Sequence, residues 1–219
     1  MTDLMRVVSF IPLVFSALLP VINPIGSAMI FLGLVSEADH AARSALARQI
    51  AINTVLFLFV VLFAGTYVLR FFGISLPVVQ VAGGLVLAAM GWSLLNSPSS
   101  SATPDEVRVG SASSDDRGFY PLTFPLTAGP ACVVVTLIIG AHASRGTVTQ
   151  IVLAHVGAMI GIVLIGAVVY VTYANADRIA ARLSPSATQG ILRIISFILF
   201  CIGGEIVWGG VQTLVASLR

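Results

Sequence analysis

Long apolar runs occupy most of this chain of 219 residues. Several are long enough to cross a hydrocarbon core of about 30 Å, which takes about 20 residues in a helix. They lack the alternation of apolar and polar residues that marks the strands of an outer-membrane barrel. Only 9% of the residues are charged, whereas about a quarter are charged in soluble domains. The sequence therefore predicts an all-α polytopic membrane protein.

Six segments fit this description, and a linker separates them into two groups. We place the segments at 8–34, 50–70, 76–95, 120–141, 150–173 and 190–214. Residues 96–118 are rich in Ser, Pro, Asp and Gly, which predicts a flexible cytoplasmic linker between two three-helix repeats, 1–95 and 119–219. Because three is an odd number, the second repeat enters the membrane with the opposite polarity. The two repeats are therefore expected to be inverted relative to each other.

The arginines predict the orientation of this arrangement. All eleven cationic residues are arginine, and seven of them lie in or at the edge of the loops that follow the first, third and fifth segments. Positively charged loops favour the cytoplasmic side of a membrane. Both termini are therefore predicted to lie outside.

Two of the segments contain a proline-rich interruption. The first reads LPVINPIGS at 19–27, and the fourth reads FPLTAGP at 124–130. Each proline removes an amide donor and clashes with the preceding turn, so two close prolines break a membrane helix. Backbone groups freed at this depth need protein or water as partners. Broken segments in corresponding positions of two halves are the best sequence indicator of a transporter's binding site.

The residues around the breaks are the candidates for binding a substrate. A broken helix presents amides at the start of its downstream half and carbonyls at the end of its upstream half, and a zwitterionic amino acid needs both. The predicted site consists of Asn23, Pro24, Gly26, Ser27, Thr123, Thr127, Gly129 and Pro130. The alternative is that these are two proline kinks whose small residues allow close helix packing.

Three intramembrane polar residues outside the breaks are candidates for coupling or gating. Glu205 is the acidic residue deep within an apolar segment, where a carboxyl group is protonated, paired or part of a proton or substrate path. Asn53 and His155 are the other two, and each of the three also fits a simple interhelical hydrogen bond. Cys132 and Cys201 form no CxxC motif, so we expect no metal site.

The sequence contains no phosphate-binding loop ending in Lys-Ser/Thr and no HExxH motif. There is also no second intramembrane acid that could pair with Glu205 as a carboxylate dyad. We therefore expect neither an enzymatic activity nor a cofactor.

With these residues in view, the chain resembles the MarC family of bacterial inner-membrane proteins. The likeness rests on residues 19–27, on 124–130, on VAGG at 81–84 and on Glu205. It implies six helices with both termini outside, a location in the inner membrane and a relation to the LysE-type exporter superfamily. Because some members are described as neutral amino-acid transporters, it also implies substrate binding at the two proline motifs.

These observations predict a secondary transporter of small neutral amino acids, such as alanine, glycine or serine, that works by alternating access. Coupling to protons or sodium is left open. The alternative is a passive channel or an exporter for another small polar solute, with the broken helices as a filter. A thiol–disulfide carrier ranks last because Ala88 occupies the repeat position equivalent to Cys201. The lipid bilayer is an expected partner and nucleic acid is not, while homo-oligomer formation is left open.

Overall fold

The computed structural model describes residues 2–35, 39–96, 119–120 and 122–218. In that part of the chain every element of secondary structure is helical. The elements are α1 (Thr2–Ile22), α2 (Pro24–Leu34), α3 (His40–Phe71), α4 (Leu76–Asn96), a short wide turn (Leu122–Thr127), α5 (Pro130–Ala143), α6 (Val148–Ala174), α7 (Ala176–Arg182) and α8 (Pro185–Ala216). The predicted linker, 96–118, lies outside the described residues except for Asn96, which ends α4.

Four of these helices, α3, α4, α6 and α8, are long and apolar enough to cross a membrane. The pair α1 and α2 meets the same test from Val7 onward and is bent by 42° at its break, so it adds a fifth span if counted as one. The fourth predicted segment is observed as the Leu122–Thr127 turn followed by α5, which is a shorter apolar helix. The prediction of an all-helical polytopic membrane protein is confirmed.

Two helices begin earlier than the hydrophobicity predicts because polar residues cap them outside the apolar run. α3 begins ten residues before position 50, where the Asp39 carboxylate accepts a hydrogen bond from the amide of Ala42 at 2.7 Å. α8 begins five residues before position 190, where Ser184 accepts from the amide of Ala187 at 3.2 Å. Both are side-chain caps of orphan amides, and Pro185 suits the first position of α8.

Helix α6 lies in the middle of the bundle and packs against α1 and α3. Its small residues make this close approach possible. A Cβ at Gly157 would lie 2.7 Å from the carbonyl oxygen of Val7, and one at Gly161 would lie 2.8 Å from the Cβ of Val14. Close backbone contact through glycine is the usual way in which membrane helices associate.

Helices α4 and α8 form an antiparallel pair, again through glycines. A Cβ at Gly91 would lie 2.6 Å from the amide nitrogen of Phe200, and one at Gly210 would lie 2.9 Å from the carbonyl oxygen of Pro77. A Cβ at Gly203 would collide with the backbone of Ala88. The third and sixth predicted segments therefore run in opposite directions along each other.

An ion pair joins the polar stretch after the first segment to the polar stretch after the fifth. Arg43, near the start of α3, lies 3.6 Å from the carboxylate of Asp177 in α7. The connections after the first and fifth segments therefore lie at the same end of the bundle, as the alternating topology predicts.

Candidate substrate site at the two helix breaks

Asn23 determines the first break. Its backbone is left-handed, with φ 47° and ψ 62°, a region that residues other than glycine rarely adopt and that asparagine tolerates best. Its side-chain oxygen accepts a hydrogen bond from the amide of Gly26 at 3.2 Å, so Asn23 also caps α2. Gly26 has to lack a side chain because a Cβ there would collide with the Asn23 amide group. Pro20 lies within α1 and does not end it, whereas Pro24 begins α2.

Ser27 completes the first break from the downstream side. In an unbroken helix the Ile22 carbonyl would accept a hydrogen bond from the amide of Gly26, but that amide binds Asn23 instead. The Ser27 hydroxyl donates to the Ile22 carbonyl at 3.0 Å and so replaces the lost bond. Ser27 is buried, with 6% of its surface exposed. A side chain thus satisfies a carbonyl that the break removes from the helical ladder.

The second break extends from Phe124 to Gly129. Phe124 is extended, with φ −120° and ψ 127°, as expected for a residue before proline, and the Phe124–Pro125 bond is cis. Gly129 caps α5 without any side-chain hydrogen bond, and a Cβ there would lie 2.9 Å from the carbonyl oxygen of Pro125. The first turn of α5 therefore lacks a side-chain cap, whereas that of α2 is capped by Asn23.

Side chains also satisfy carbonyls at the second break. The Thr127 hydroxyl donates to the carbonyl of Leu122 at 2.7 Å. The Cys132 thiol lies 3.8 Å from the carbonyl of Thr127 and donates to it. In each case the acceptor is five residues before the donor, as it is for Ser27. The two breaks therefore share the same local solution to the same loss of backbone hydrogen bonds.

Tyr173, near the end of α6, brings the two breaks together. Its phenol oxygen lies 2.8 Å from the Thr127 hydroxyl oxygen and also interacts with Ser27. Because the single proton of Thr127 goes to Leu122, the phenol is the donor in this contact. The Tyr173 ring stacks on Phe31 of α2 with 4.9 Å between centroids, and only 1% of the residue is exposed. We call Ser27, Thr127 and Tyr173 the hydroxyl cluster.

Most of the predicted substrate-binding residues are buried around this cluster. The buried ones are Pro24, Gly26, Ser27, Thr123, Thr127 and Gly129. Asn23 is partly buried, and Pro130 is exposed. Sequence reasoning missed Tyr173, because a tyrosine near the end of an apolar segment is typical of a membrane interface. Its position in the sequence gave no signal of a contact with the breaks.

The three predicted coupling residues lie in different places. Asn53 is one helical turn before Phe57, which contacts Phe124 of the second break with 5.7 Å between ring centroids. The Nδ1 atom of His155 lies 2.8 Å from the carbonyl oxygen of Ile151 in its own helix. His155 precedes Tyr173 by 18 residues, which is about 27 Å along α6. Neither His155 nor the exposed Glu205 belongs to the hydroxyl cluster.

Two further buried hydroxyls, which the sequence did not single out, lie in the helices that pack beside the second break. Thr54 of α3 and Thr136 of α5 are fully buried, and within the described residues neither hydroxyl oxygen has a hydrogen-bond partner. Buried polar groups without a partner are rare and costly. These hydroxyls are therefore available to a ligand or to water.

The other features of the described residues fit a polar solute less well. A groove between α1 and α6 has an apolar lining, and its one hydroxyl, on Thr172, donates to Val168 at 2.8 Å in its own helix. No three His, Cys, Asp or Glu side chains within the described ranges are close enough together to hold a metal ion. Among the described residues, the helix breaks therefore fit a polar solute best.

The comparison with known families identifies the chain. The model described as MarC family integral membrane protein matches residues 8–215. The chain belongs to the MarC family. Relatives named UPF0056 inner membrane protein MarC, from Escherichia coli (strain K12) and Shigella flexneri, are each 24% identical to it over 205 residues. The match covers 91% of this chain and 93% of each relative, and no solved structure gives a significant match.

Membership in the MarC family confirms the resemblance drawn from the two proline motifs, both of which lie inside the matched range. The apolar helices and the name of the relatives together identify a multi-pass protein of the bacterial inner membrane.

Proposed function

We propose that this MarC-family protein is a secondary transporter of small neutral amino acids and that it binds its substrate where the two helix breaks meet. The observation that carries this proposal is the position of Tyr173, whose phenol contacts Thr127 at the second break and whose ring stacks on Phe31 of α2, the helix that follows the first break. One side chain from a separate helix thus links two interrupted helices inside an apolar bundle. Interrupted helices of this kind form the substrate sites of secondary transporters.

The chemistry of the two breaks suits the two ends of an amino acid. The uncapped first turn of α5, after Gly129, attracts a carboxylate. The oxygen lone pairs of Ser27, Thr127 and Tyr173 can accept hydrogen bonds from an ammonium group. Thr54 and Thr136 offer additional hydroxyls, which have no hydrogen-bond partner in the part of the chain that the structure describes. The dense packing around these residues favours a substrate with a small side chain.

Alternating access between two inverted three-helix repeats is the mechanism that we propose. Two observations support it. The third and sixth segments, α4 and α8, pack antiparallel through glycines, as Gly91 and Gly210 indicate. Both breaks also use a hydroxyl or thiol to bind a carbonyl five residues earlier. Such shared local geometry is expected if the two halves are structural repeats.

Coupling to a proton or sodium gradient is part of the proposal. Among the coupling candidates, Asn53 shares a face of α3 with Phe57, which contacts Phe124 of the second break. His155 and Glu205 stay predictions as coupling groups. A passive channel through the same breaks is the alternative, and it predicts transport that a gradient does not drive.

Uptake into proteoliposomes tests the proposal. Labelled alanine, glycine and serine would be offered with and without an imposed pH or sodium gradient to the wild type, Thr127→Val and Thr172→Val. Thr172 is the matched control because its hydroxyl bonds only within α6. We expect gradient-driven accumulation that Thr127→Val lowers at least about tenfold and Thr172→Val leaves unchanged, since Thr127 joins the two breaks.

Two other results would overturn parts of the proposal. Uptake that only equilibrates and ignores both gradients would identify a passive channel. The absence of uptake of all three amino acids by folded protein would contradict the proposed substrate class.

A further inference from the structure

Glu205 lies on the side of α8 that faces away from α4. The α4 contacts of α8 are made by residues such as Gly203 and Gly210. Glu205 follows Gly203 by two residues, which corresponds to a rotation of about 200° around the helix. Its side chain is exposed, whereas that of the next residue, Ile206, packs on the core residues Leu87 and Leu199.

The residues around Glu205 on this side are also exposed, and most are large and apolar. Ile194 is 63% exposed, Phe197 59% and Trp208 58%. Cys201 and Gln212, which lie one and two turns from Glu205, are exposed as well. We call this surface the outer α8 face; it comprises Ile194, Phe197, Cys201, Gly204, Glu205, Trp208 and Gln212.

In a membrane the outer α8 face is unusual, because this face carries a carboxyl group and an amide among lipid-facing residues. Both lie within the apolar span Ser186–Ala216. Within the described residues neither Glu205 nor Gln212 makes a hydrogen bond or an ion pair. Polar groups of this kind are costly in hydrocarbon and normally face protein. A Cβ at Gly204 would meet nothing within 4 Å, so the packing of this chain does not explain that glycine.

We propose that the outer α8 face binds the same face of a second copy of this chain. Two copies inserted with the same topology are related by a twofold axis along the membrane normal, so each residue meets its own equivalent at the same depth. A carboxyl group that carries its proton has one donor and one acceptor, so two copies of Glu205 can bind each other, and so can two Gln212 amides. Gly204 allows the two helices to approach closely.

This inference does not depend on which solute the protein transports, and a native thiol makes it directly testable. Cys201 precedes Glu205 by one helical turn on the same face, and the other cysteine, Cys132, is buried. Membranes containing the full-length protein would be treated with copper phenanthroline. We expect a covalent species at twice the 22.9 kDa of the chain. It should be lost in Cys201→Ser, which retains Cys132.

Three variants separate a specific dimer from random collision and from a role of Glu205 in folding. Val60→Cys, made in the Cys201→Ser background, places a thiol on a 62% exposed position of α3 that the proposal leaves outside the interface; it should not cross-link. Glu205→Gln keeps a donor and an acceptor and should cross-link like the wild type. Glu205→Leu should lower the yield about fivefold at equal membrane abundance, as expected for the loss of two interhelical hydrogen bonds.

Four outcomes would overturn the proposal. They are no cross-link in the wild type, an equal yield from Val60→Cys, an equal yield from Glu205→Leu, and a product whose mass shows a different protein as the partner.

Discussion

The phenol oxygen of Tyr173 lies 2.8 Å from the hydroxyl oxygen of Thr127, and this contact connects the end of α6 to the second helix break. The same phenol interacts with Ser27 at the first break. Because the three residues come from three different elements, a change in the relative position of the two breaks has to alter this cluster. In the proposed transport mechanism, substrate binding and movement of the two halves would therefore affect each other at the hydroxyl cluster.

Replacing Tyr173 by phenylalanine tests this cluster. The variant keeps the ring that stacks on Phe31 but removes the proton that the phenol donates to Thr127. We expect a loss of unfolding free energy of about 1 kcal/mol, typical of one hydrogen bond, and a larger loss of uptake rate. Thermal unfolding in detergent and uptake in proteoliposomes measure the two effects. Tyr170→Phe is the control, because its phenol is exposed and lies 3.5 Å from the Ser44 hydroxyl rather than in the hydroxyl cluster. An equal effect of both variants would contradict the prediction.

A pair of substitutions at Asn23 separates its backbone role from its capping role. Glycine adopts the left-handed conformation without strain but cannot accept the hydrogen bond from Gly26. Alanine loses the cap and also opposes φ 47°. We expect Asn23→Ala to cost about 2 to 3 kcal/mol and Asn23→Gly clearly less, because a left-handed residue with a Cβ costs about 1 to 2 kcal/mol. Chemical or thermal denaturation would give the order, and a glycine variant less stable than the alanine variant would refute it.

Among the residues that the structure describes, the buried hydroxyls of Thr54 and Thr136 have no hydrogen-bond partner, so their removal should not destabilise the empty protein. Valine has nearly the same shape, and replacing an unsatisfied polar group by an apolar one is neutral or stabilising. We expect the melting temperature of Thr136→Val to stay unchanged or to rise while the KM for alanine increases. The same substitution at Thr213, whose hydroxyl donates to Gly209 at 2.9 Å, leaves KM unchanged. A marked loss of stability in Thr136→Val would contradict the prediction, because it would mean that the Thr136 hydroxyl is hydrogen-bonded in the folded protein.

The contact between α4 and α8 should not tolerate a methyl group at Gly203. A Cβ there collides with the backbone of Ala88, so the two helices would have to separate. We expect Gly203→Ala to lower stability by about 1 to 3 kcal/mol, the usual cost of overpacking. Gly190 lies in the same helix with open space around it. Its replacement by alanine should be neutral or slightly stabilising because alanine is the better helix former. Similar melting temperatures for the two variants would contradict the observed packing.

Local chemistry in the sequence was sufficient for the helical class and for the two breaks. Prolines at 24 and 125 remove helical hydrogen bonds wherever they occur, and asparagine tolerates the left-handed turn that ends α1. The segment at 50–70 is only the apolar part of α3, since the cap at Asp39 lies in a polar stretch that hydrophobicity does not register. The antiparallel pairing of α4 and α8 agrees with the alternating topology.

The tertiary structure alone decided which side chains meet and which side of each helix faces outward. Thr127 and Tyr173 are 46 residues apart, and no local pattern indicates that contact. The direction in which the Glu205 side chain points could not be predicted either, because α8 has apolar residues on all of its sides. A helix inside a membrane is apolar towards both lipid and protein, so periodicity does not distinguish its two faces. The sequence by itself therefore determined where the helices break, and packing decided which residues come together at those breaks.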